Sequence, residues 1–260
     1  MNTAFRADQR RRARRSAAHD LPYYDGKPVR IGGLGWLVVM AAVLVAFGQL
    51  ELLPLKTFPF DFIPAVLFTG LPLLALMAVT GWRSPALFRP VDLKDGLIGL
   101  GFALLTIICS VIVGLLLTTV MAMSANSAVA ALAYDGVGDL LLFLARTFIQ
   151  LIGEEVVTIL PLLAVLWLCV AKFGLSRRWG LVIAVIASTL WFAAMHLPTY
   201  DWNLLQCLTT IGTARLVLTL AYVVTRNLWV SSIAHIANDW SLFLVSFVGG
   251  HLPIGIDDLL

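Results

Sequence analysis

The sequence predicts an all-α protein, a polytopic bundle of transmembrane helices, and three observations lead there. Of its 260 residues, 60% are hydrophobic and only 13% charged, whereas a soluble domain holds about 45–50% apolar residues. Several apolar runs approach or exceed the roughly 20 residues that a helix needs to cross a bilayer core of about 30 Å. Lysine and arginine stand almost wholly outside those runs, on alternate connections. Little chain remains for a separate soluble domain, so one helical domain over residues 31–260 is expected behind a tail over residues 1–30.

Taken in order, residues 1–30 read as a polar, mobile tail. The first apolar run, 31–50, is too long for a signal peptide and has no clear small-residue cleavage site, so it reads as an uncleaved anchor. A turn-rich connection with Pro54 and Pro59 leads to the second run, 62–79. The third covers 97–123, the fourth 140–170, the fifth 181–197, the sixth 204–224 and the seventh 228–248. Seven spans are expected, with an eighth if the long fourth run splits near Arg146. The Ser/Ala-rich stretch 124–133 reads as an external loop or a fraying helix end.

The basic residues test this layout independently of hydropathy. With the N-terminus inside, inner segments hold Arg6, Arg10, Arg11, Arg12, Arg14, Arg15, Lys27 and Arg30, then Arg83, Arg89 and Lys94, then Lys172, Arg177 and Arg178, then Arg226. Lys56 alone falls outside, and Arg146 and Arg215 lie within spans. Such an excess marks cytoplasmic loops, so the N-terminus is expected in the cytoplasm of a plasma (inner) membrane and the C-terminus outside. Beside a membrane span, the basic tail reads as facing anionic lipid headgroups rather than nucleic acid. Cys109, Cys169 and Cys207 stand singly in apolar runs, forming neither a CxxC pair nor a disulfide framework, and read as small core residues.

Within the spans the polar residues form a pattern. Glu154 and Glu155 are adjacent in the fourth run, where a charge costs on the order of 2.5–3.5 kcal/mol near a bilayer centre and is usually retained for chemistry or paired. The fifth run ends with Phe192 and His196, and the seventh carries His235, Asn238 and Asp239. Spacings of four place Phe192 with His196, and His235 with Asp239, on shared helix faces. Three helices can therefore aim a carboxylate, an imidazole, and an imidazole with a second carboxylate at one point.

At these residues the chain resembles the CAAX prenyl endopeptidase family, also called the CPBP or Abi family of intramembrane proteases, whose pattern is EExxxR, FxxxH and HxxxN or HxxxD on three helices. Glu154-Glu155, Phe192 to His196 and His235 to Asp239 match in order and spacing, within residues 140–240, and the catalytic core is placed in 140–248. The family's arginine falls at Ile159. Glu155 then needs another cation, and Arg215 near the middle of the sixth run is the candidate. Arg146, nine residues from Glu155, lies about opposite it on the helix.

The resemblance implies a hydrolase that performs intramembrane proteolysis, cleaving a membrane-associated peptide or protein with Glu154 and the histidines serving a water molecule. Glu154 is assigned as general base. His196 would hold the same water or a metal, His235 would stabilise the oxyanion or complete the water site, and Asp239 would orient His235 or line the oxyanion pocket. Glu154, His196 and His235 also make a zinc set with an open fourth position, although HExxH is absent.

Blander readings exist for the same residues. Adjacent glutamates point about 100° apart on a helix, so both are not expected to face one site, and Glu155 is taken as structural. Phe192, Trp191 and Trp240 read as packing or interface aromatics, and the spacing favours Asp239 over Asn238 as the residue facing His235. A membrane immunity or peptide-binding protein of the same fold is the chief alternative. An ion-coupled transporter relaying through Glu154, Glu155, Arg215 and Asp239 is the other, against which no repeated halves or paired broken helices are seen.

Depth is the remaining expectation. At 1.5 Å per residue, Glu154 and His196 lie about 24 and 22 Å from the inner ends of their runs, but His235 only about 10 Å. The connection from Thr225 to Leu228 should therefore be recessed, lining a water-filled cavity.

Overall fold

Each long apolar run becomes a helix. The computed structural model describes residues 20–55, 57–83 and 85–252, and the sequence expectations for residues 1–19, Lys56 and residues 253–260 lie outside them. The helices are α1 (Gly33–Leu52), α2 (Phe62–Val79), α3 (Leu93–Thr118), the single-turn α4 (Ser127–Ala131), α5 (Val137–Lys172), α6 (Arg177–Met195), α7 (Leu204–Thr225) and α8 (Leu228–His251). No strand occurs among the described residues.

Polar side chains set several boundaries by satisfying the free N–H groups of a first turn. Asp92 and Asp95 form a reciprocal capping box at α3, and Asn126, Ser176 and Asn227 accept from the first turns of α4, α6 and α8. The last five residues of α5, Leu168–Lys172, widen into a π-helical turn, as does Cys207–Ile211 within α7.

Six of these helices are long and apolar enough to cross a membrane: α1, α2, α3, α5, α6 and α7. The expected seventh span, α8, is fully helical over 24 residues but is not among them, because Ser231, Ser232, His235, Asn238, Asp239 and Ser241 dilute its apolar content. The alternative eighth span is not formed, since α5 runs without a break past Arg146.

Helix α5 is the axis of the bundle. It packs against α1, α2, α6 and α8, and 61% of its span window is buried, against at most 44% in any other span. The approach of α2 depends on Gly153, where a Cβ would stand 2.5 Å from Thr69 Oγ1 and 2.7 Å from Phe68. That closeness lets Thr69 Oγ1 donate to the Ile149 carbonyl at 2.7 Å. Across the bundle, Gly99 of α3 meets Ile233 of α8 in the same way, at 2.7 Å.

The end of the bundle where α2, α5 and α7 finish is closed by chain. The Thr225–Leu228 connection is recessed, with Asn227 3% exposed and Leu228 fully buried. It does not line a cavity, however. The Leu228 N–H donates to the Leu87 carbonyl at 2.9 Å, and the Asn227 side chain bonds both the N–H and the carbonyl of Arg89 at 3.1 and 3.3 Å. Residues 20–24 of the expected mobile tail are also tied down. Leu21, Tyr23 and Tyr24 are buried, the Tyr23 hydroxyl accepts from the Ala86 N–H at 2.8 Å, and Arg177 grips Asp20 through Nε at 2.7 Å and through Nη2. Two aromatic side chains beside an arginine partner are enough to dock a segment whose composition reads as polar. Cys169 and Cys207 are buried, Cys109 is half-buried, and all three are free thiols.

Candidate active site

The two glutamates of α5 face one imidazole. His235 Nδ1 lies 2.9 Å from Glu155 Oε1, and its Nε2 lies 3.7 Å from Glu154 Oε2. Only Glu154 of the pair lines the adjoining cavity; Glu155 lies behind the ring. Side chains about 100° apart on a helix straddle a ring that inserts between them and use its two opposite nitrogens. Glu155 has no exposed surface and Glu154 only 8%, so both belong to the interior.

Glu155 is held by Arg215 of α7. Nη1 donates to Oε1 at 2.6 Å and Nη2 to Oε2 at 3.1 Å, while Nε donates to Thr219 Oγ1 at 3.1 Å. Arg215 is fully buried, and its guanidinium also lies 5.1 Å above the Phe192 ring. A buried charge is tolerated when paired and hydrogen-bonded in this bidentate manner. The cation that the sequence pattern lacks at Ile159 therefore arrives from another helix, and Ile159 itself is core. Arg146, the other intramembrane cation, instead pairs with Asp61 at 3.1 Å.

The hydrogen bonds also fix which ring nitrogens face the site. His196 Nδ1 lies 2.9 Å from the Phe192 carbonyl. A carbonyl only accepts, so Nδ1 carries the proton and Nε2 of the neutral ring presents its lone pair. That Nε2 lies 4.0 Å from Glu154 Oε2. His235 Nδ1 likewise donates to Glu155, leaving Nε2 directed at Glu154 and at Asp239 Oδ2, 3.7 Å away. The Phe192 ring, 4.4 Å from His196 and 6.0 Å from His235, spaces the two imidazoles.

Asp239 does not orient His235 by a hydrogen bond, since 3.7 Å is beyond that range; Glu155 does so through the other nitrogen. Asn238, set aside in favour of Asp239 on spacing, donates to Asp239 Oδ1 at 2.7 Å, so the two act as a unit. The zinc set is likewise not assembled. Among the described residues no group of three His, Cys, Asp or Glu has the arrangement of a metal site. Separations of 3.7 and 4.0 Å from Glu154 exceed the ~3.4 Å edge of a tetrahedron built on bonds of about 2.1 Å.

Glu154 has a neighbour that the motif reading missed. Gln150 Nε2 donates to Glu154 Oε1 at 3.2 Å, leaving Oε2 for the imidazoles, and Thr158 Oγ1 donates to the Glu154 carbonyl at 2.6 Å. The signal was present, since Gln150 stands four residues before Glu154 in an apolar run, on the same helix face. Gln150, Glu154, Phe192, His196, His235, Asn238 and Asp239 line a cavity of about 450 Å³ that also reaches Arg146, Asn126 and Tyr200. Burial pushes the Tyr200 hydroxyl up, which keeps it neutral at the rim.

A family model described as Rce1-like, type II CAAX prenyl endopeptidase Rce1-like, matches residues 136–241. No curated protein and no solved structure matches the chain. The matched stretch begins just before α5 and ends within α8, so it contains Glu154, Glu155, Phe192, His196, Arg215, His235 and Asp239. In this integral membrane protein the likeness to the Rce1-like CAAX prenyl endopeptidase family thus rests on residues 136–241, the stretch that carries the whole site.

Proposed function

We propose that the protein is an intramembrane endopeptidase that hydrolyses a peptide bond of a membrane-associated substrate with water activated by Glu154. The observation that carries this reading is the convergence of Glu154 Oε2 with Nε2 of both His196 and His235, within 4.0 Å, at the buried end of a cavity. A water there has a carboxylate to take its proton and the unprotonated His196 Nε2 to accept its second hydrogen.

As the water oxygen bonds to the substrate carbonyl carbon, Glu154 receives a proton, and the carbonyl oxygen becomes an oxyanion. His235, fixed from behind by Glu155 and Arg215, keeps Nδ1–H on Glu155 and, as the doubly protonated imidazolium, faces that oxygen with Nε2–H. Glu154 then returns the proton to the amide nitrogen as the C–N bond breaks, leaving a carboxylic acid and an amine. Glu155 and Arg215 touch no reacting atom and act by positioning. Asn238 and Asp239 shape the oxyanion side of the cavity. The alternative of a binder that has lost chemistry rested on the absent arginine, and Arg215 supplies that charge.

The test is a membrane-anchored peptide incubated with the purified protein in ¹⁸O-labelled water. Cleavage of an internal bond with one ¹⁸O atom in the new carboxylate, abolished by Glu154→Gln, is expected. Retention of the intact peptide by a folded wild-type protein that binds it would replace the protease with the binding protein.

A further inference from the structure

The cavity opens at only one end of the bundle. Most of its lining comes from the half of each helix that leads to the α3–α5 and α6–α7 connections, such as Val111 on α3, Phe143 on α5, His196 on α6 and Leu242 on α8, and only its deep end, with Leu218 on α7 and His235, Asn238 and Asp239 on α8, passes the midpoints of those helices. Exposed lining residues, Ala128 and Thr199, belong to those connections, while the deep end is formed by buried Glu154 and His235. Two further lining residues, Val111 and Leu242, are 50% and 49% exposed and make a lateral, apolar side to the opening between α3 and α8. A second cavity of about 520 Å³ shares Ala128, Arg146 and Gln150 with the first and is lined by Glu51 and Asp61, at the same end.

No lining residue of either cavity comes from the opposite end, which is sealed by the docked Asp20–Arg177 and Tyr23–Ala86 contacts and by the Leu87–Arg89 cover over Asn227. Charge separates the two ends in the same sense. Arg30, Arg83, Arg89, Lys94, Lys172, Arg177, Arg178 and Arg226 all flank the sealed end. The described connections at the open end carry Glu51, Asp61, Asp135, Asp139 and Asp201. Basic connections remain in the cytoplasm, so the sealed end is the cytoplasmic one.

We infer that the site takes its substrate from the non-cytoplasmic side: a membrane-anchored peptide segment presented at the outer leaflet, entering past Ala128 and Thr199 and between Val111 and Leu242. The substrate half of this inference rests on the proteolytic reading; the direction of access does not.

Two readouts separate them. In a chain with Cys109, Cys169 and Cys207 replaced by alanine, Thr199→Cys and Ala128→Cys are compared with Phe173→Cys, from the sealed end, using a membrane-impermeant maleimide on intact cells and on inside-out vesicles. The two mouth variants should label at least tenfold faster from outside, and Phe173→Cys only in inverted vesicles. Labelling of Phe173→Cys on intact cells would overturn the inferred direction. In proteoliposomes sorted by orientation, an anchored peptide confined to the leaflet on the mouth side should be cut and the same peptide in the other leaflet left intact. Cutting confined to the basic-side leaflet would also overturn the inference. Outside labelling of both mouth variants with no cutting in either leaflet supports the direction of access and removes the protease reading.

Discussion

Arg215 reaches Glu155 from a different helix, 60 residues along the chain, with two guanidinium nitrogens on two carboxylate oxygens at 2.6 and 3.1 Å. This pair takes over the role that a cation one turn after the second glutamate would have, and it couples α7 to α5 behind the imidazole of His235. The first prediction follows from its full burial. Arg215→Met strands a buried carboxylate and should cost about 3–5 kcal/mol of stability, whereas the double variant Glu155→Leu/Arg215→Met should recover most of that loss. Activity should stay absent in the double variant, where His235 Nδ1 has lost its acceptor, and should fall in Arg215→Met, where Glu155 is no longer held in place. Melting temperature and peptide turnover, measured side by side, check it.

Gln150 fixes the carboxylate oxygen that does not face the imidazoles. A hydrogen bond to a charged group is worth about 1.5–3 kcal/mol, so Gln150→Leu should lower kcat by roughly ten- to a hundredfold with KM little changed. An equal loss appearing in KM alone would mean that Gln150 contacts substrate rather than positioning Glu154.

Gly153 is where α5 and α2 come closest, and the Cβ of alanine would overlap Thr69 and Phe68. Gly153→Ala should cost about 1–3 kcal/mol by overpacking, with the adjacent Glu154 displaced. Pairing it with Thr69→Ala, which removes the nearest atom, should restore part of the stability in a thermal melt.

The clasp of Asp20, Tyr24 and Arg177 should respond to acid and to strong base. Burial would raise the Asp20 carboxyl, but hydrogen bonds from Arg177, Tyr24 and the Leu21 N–H hold it below its ordinary value. A lowered folded-state pKa contributes stability above the unfolded carboxylate range of about 4, lost as pH falls through the folded value. Burial and the bond to Asp20 push the Tyr24 hydroxyl up to about 12; its contribution is present below ~10 and lost as pH rises through that value. Protease cleavage within residues 20–30 should therefore be slow from about pH 5 to 9 and faster below pH ~4. Asp20→Asn should show the faster cleavage already at pH 7.

Much of this was legible in the sequence because the contrast between apolar runs and basic connections is strong. The second run, 62–79, coincides with α2, and the start of the seventh with α8. Arg215 was legible as the partner of Glu155 because it is the lone cation of its run. What escaped depends on approach between elements. The insertion of His235 between the two glutamates, the Arg146–Asp61 pair, and the cover of Leu87–Arg89 over Asn227 are set by how helices lean together, which spacing along one helix does not encode. The docking of residues 20–24 escaped for a related reason, since Tyr23 is held by Ala86, 63 residues away, and Tyr24 lies beside Arg177.

The central claim is that one carboxylate and two imidazoles from three helices work together on a water molecule. Turnover of a membrane-anchored peptide by wild type, Glu154→Gln, His196→Ala and His235→Ala, with melting temperature recorded for each, tests it most directly. The account predicts that all three variants fold and that each loses activity by roughly 10² to 10⁴-fold. A folded Glu154→Gln protein that cleaves at the wild-type rate would contradict it.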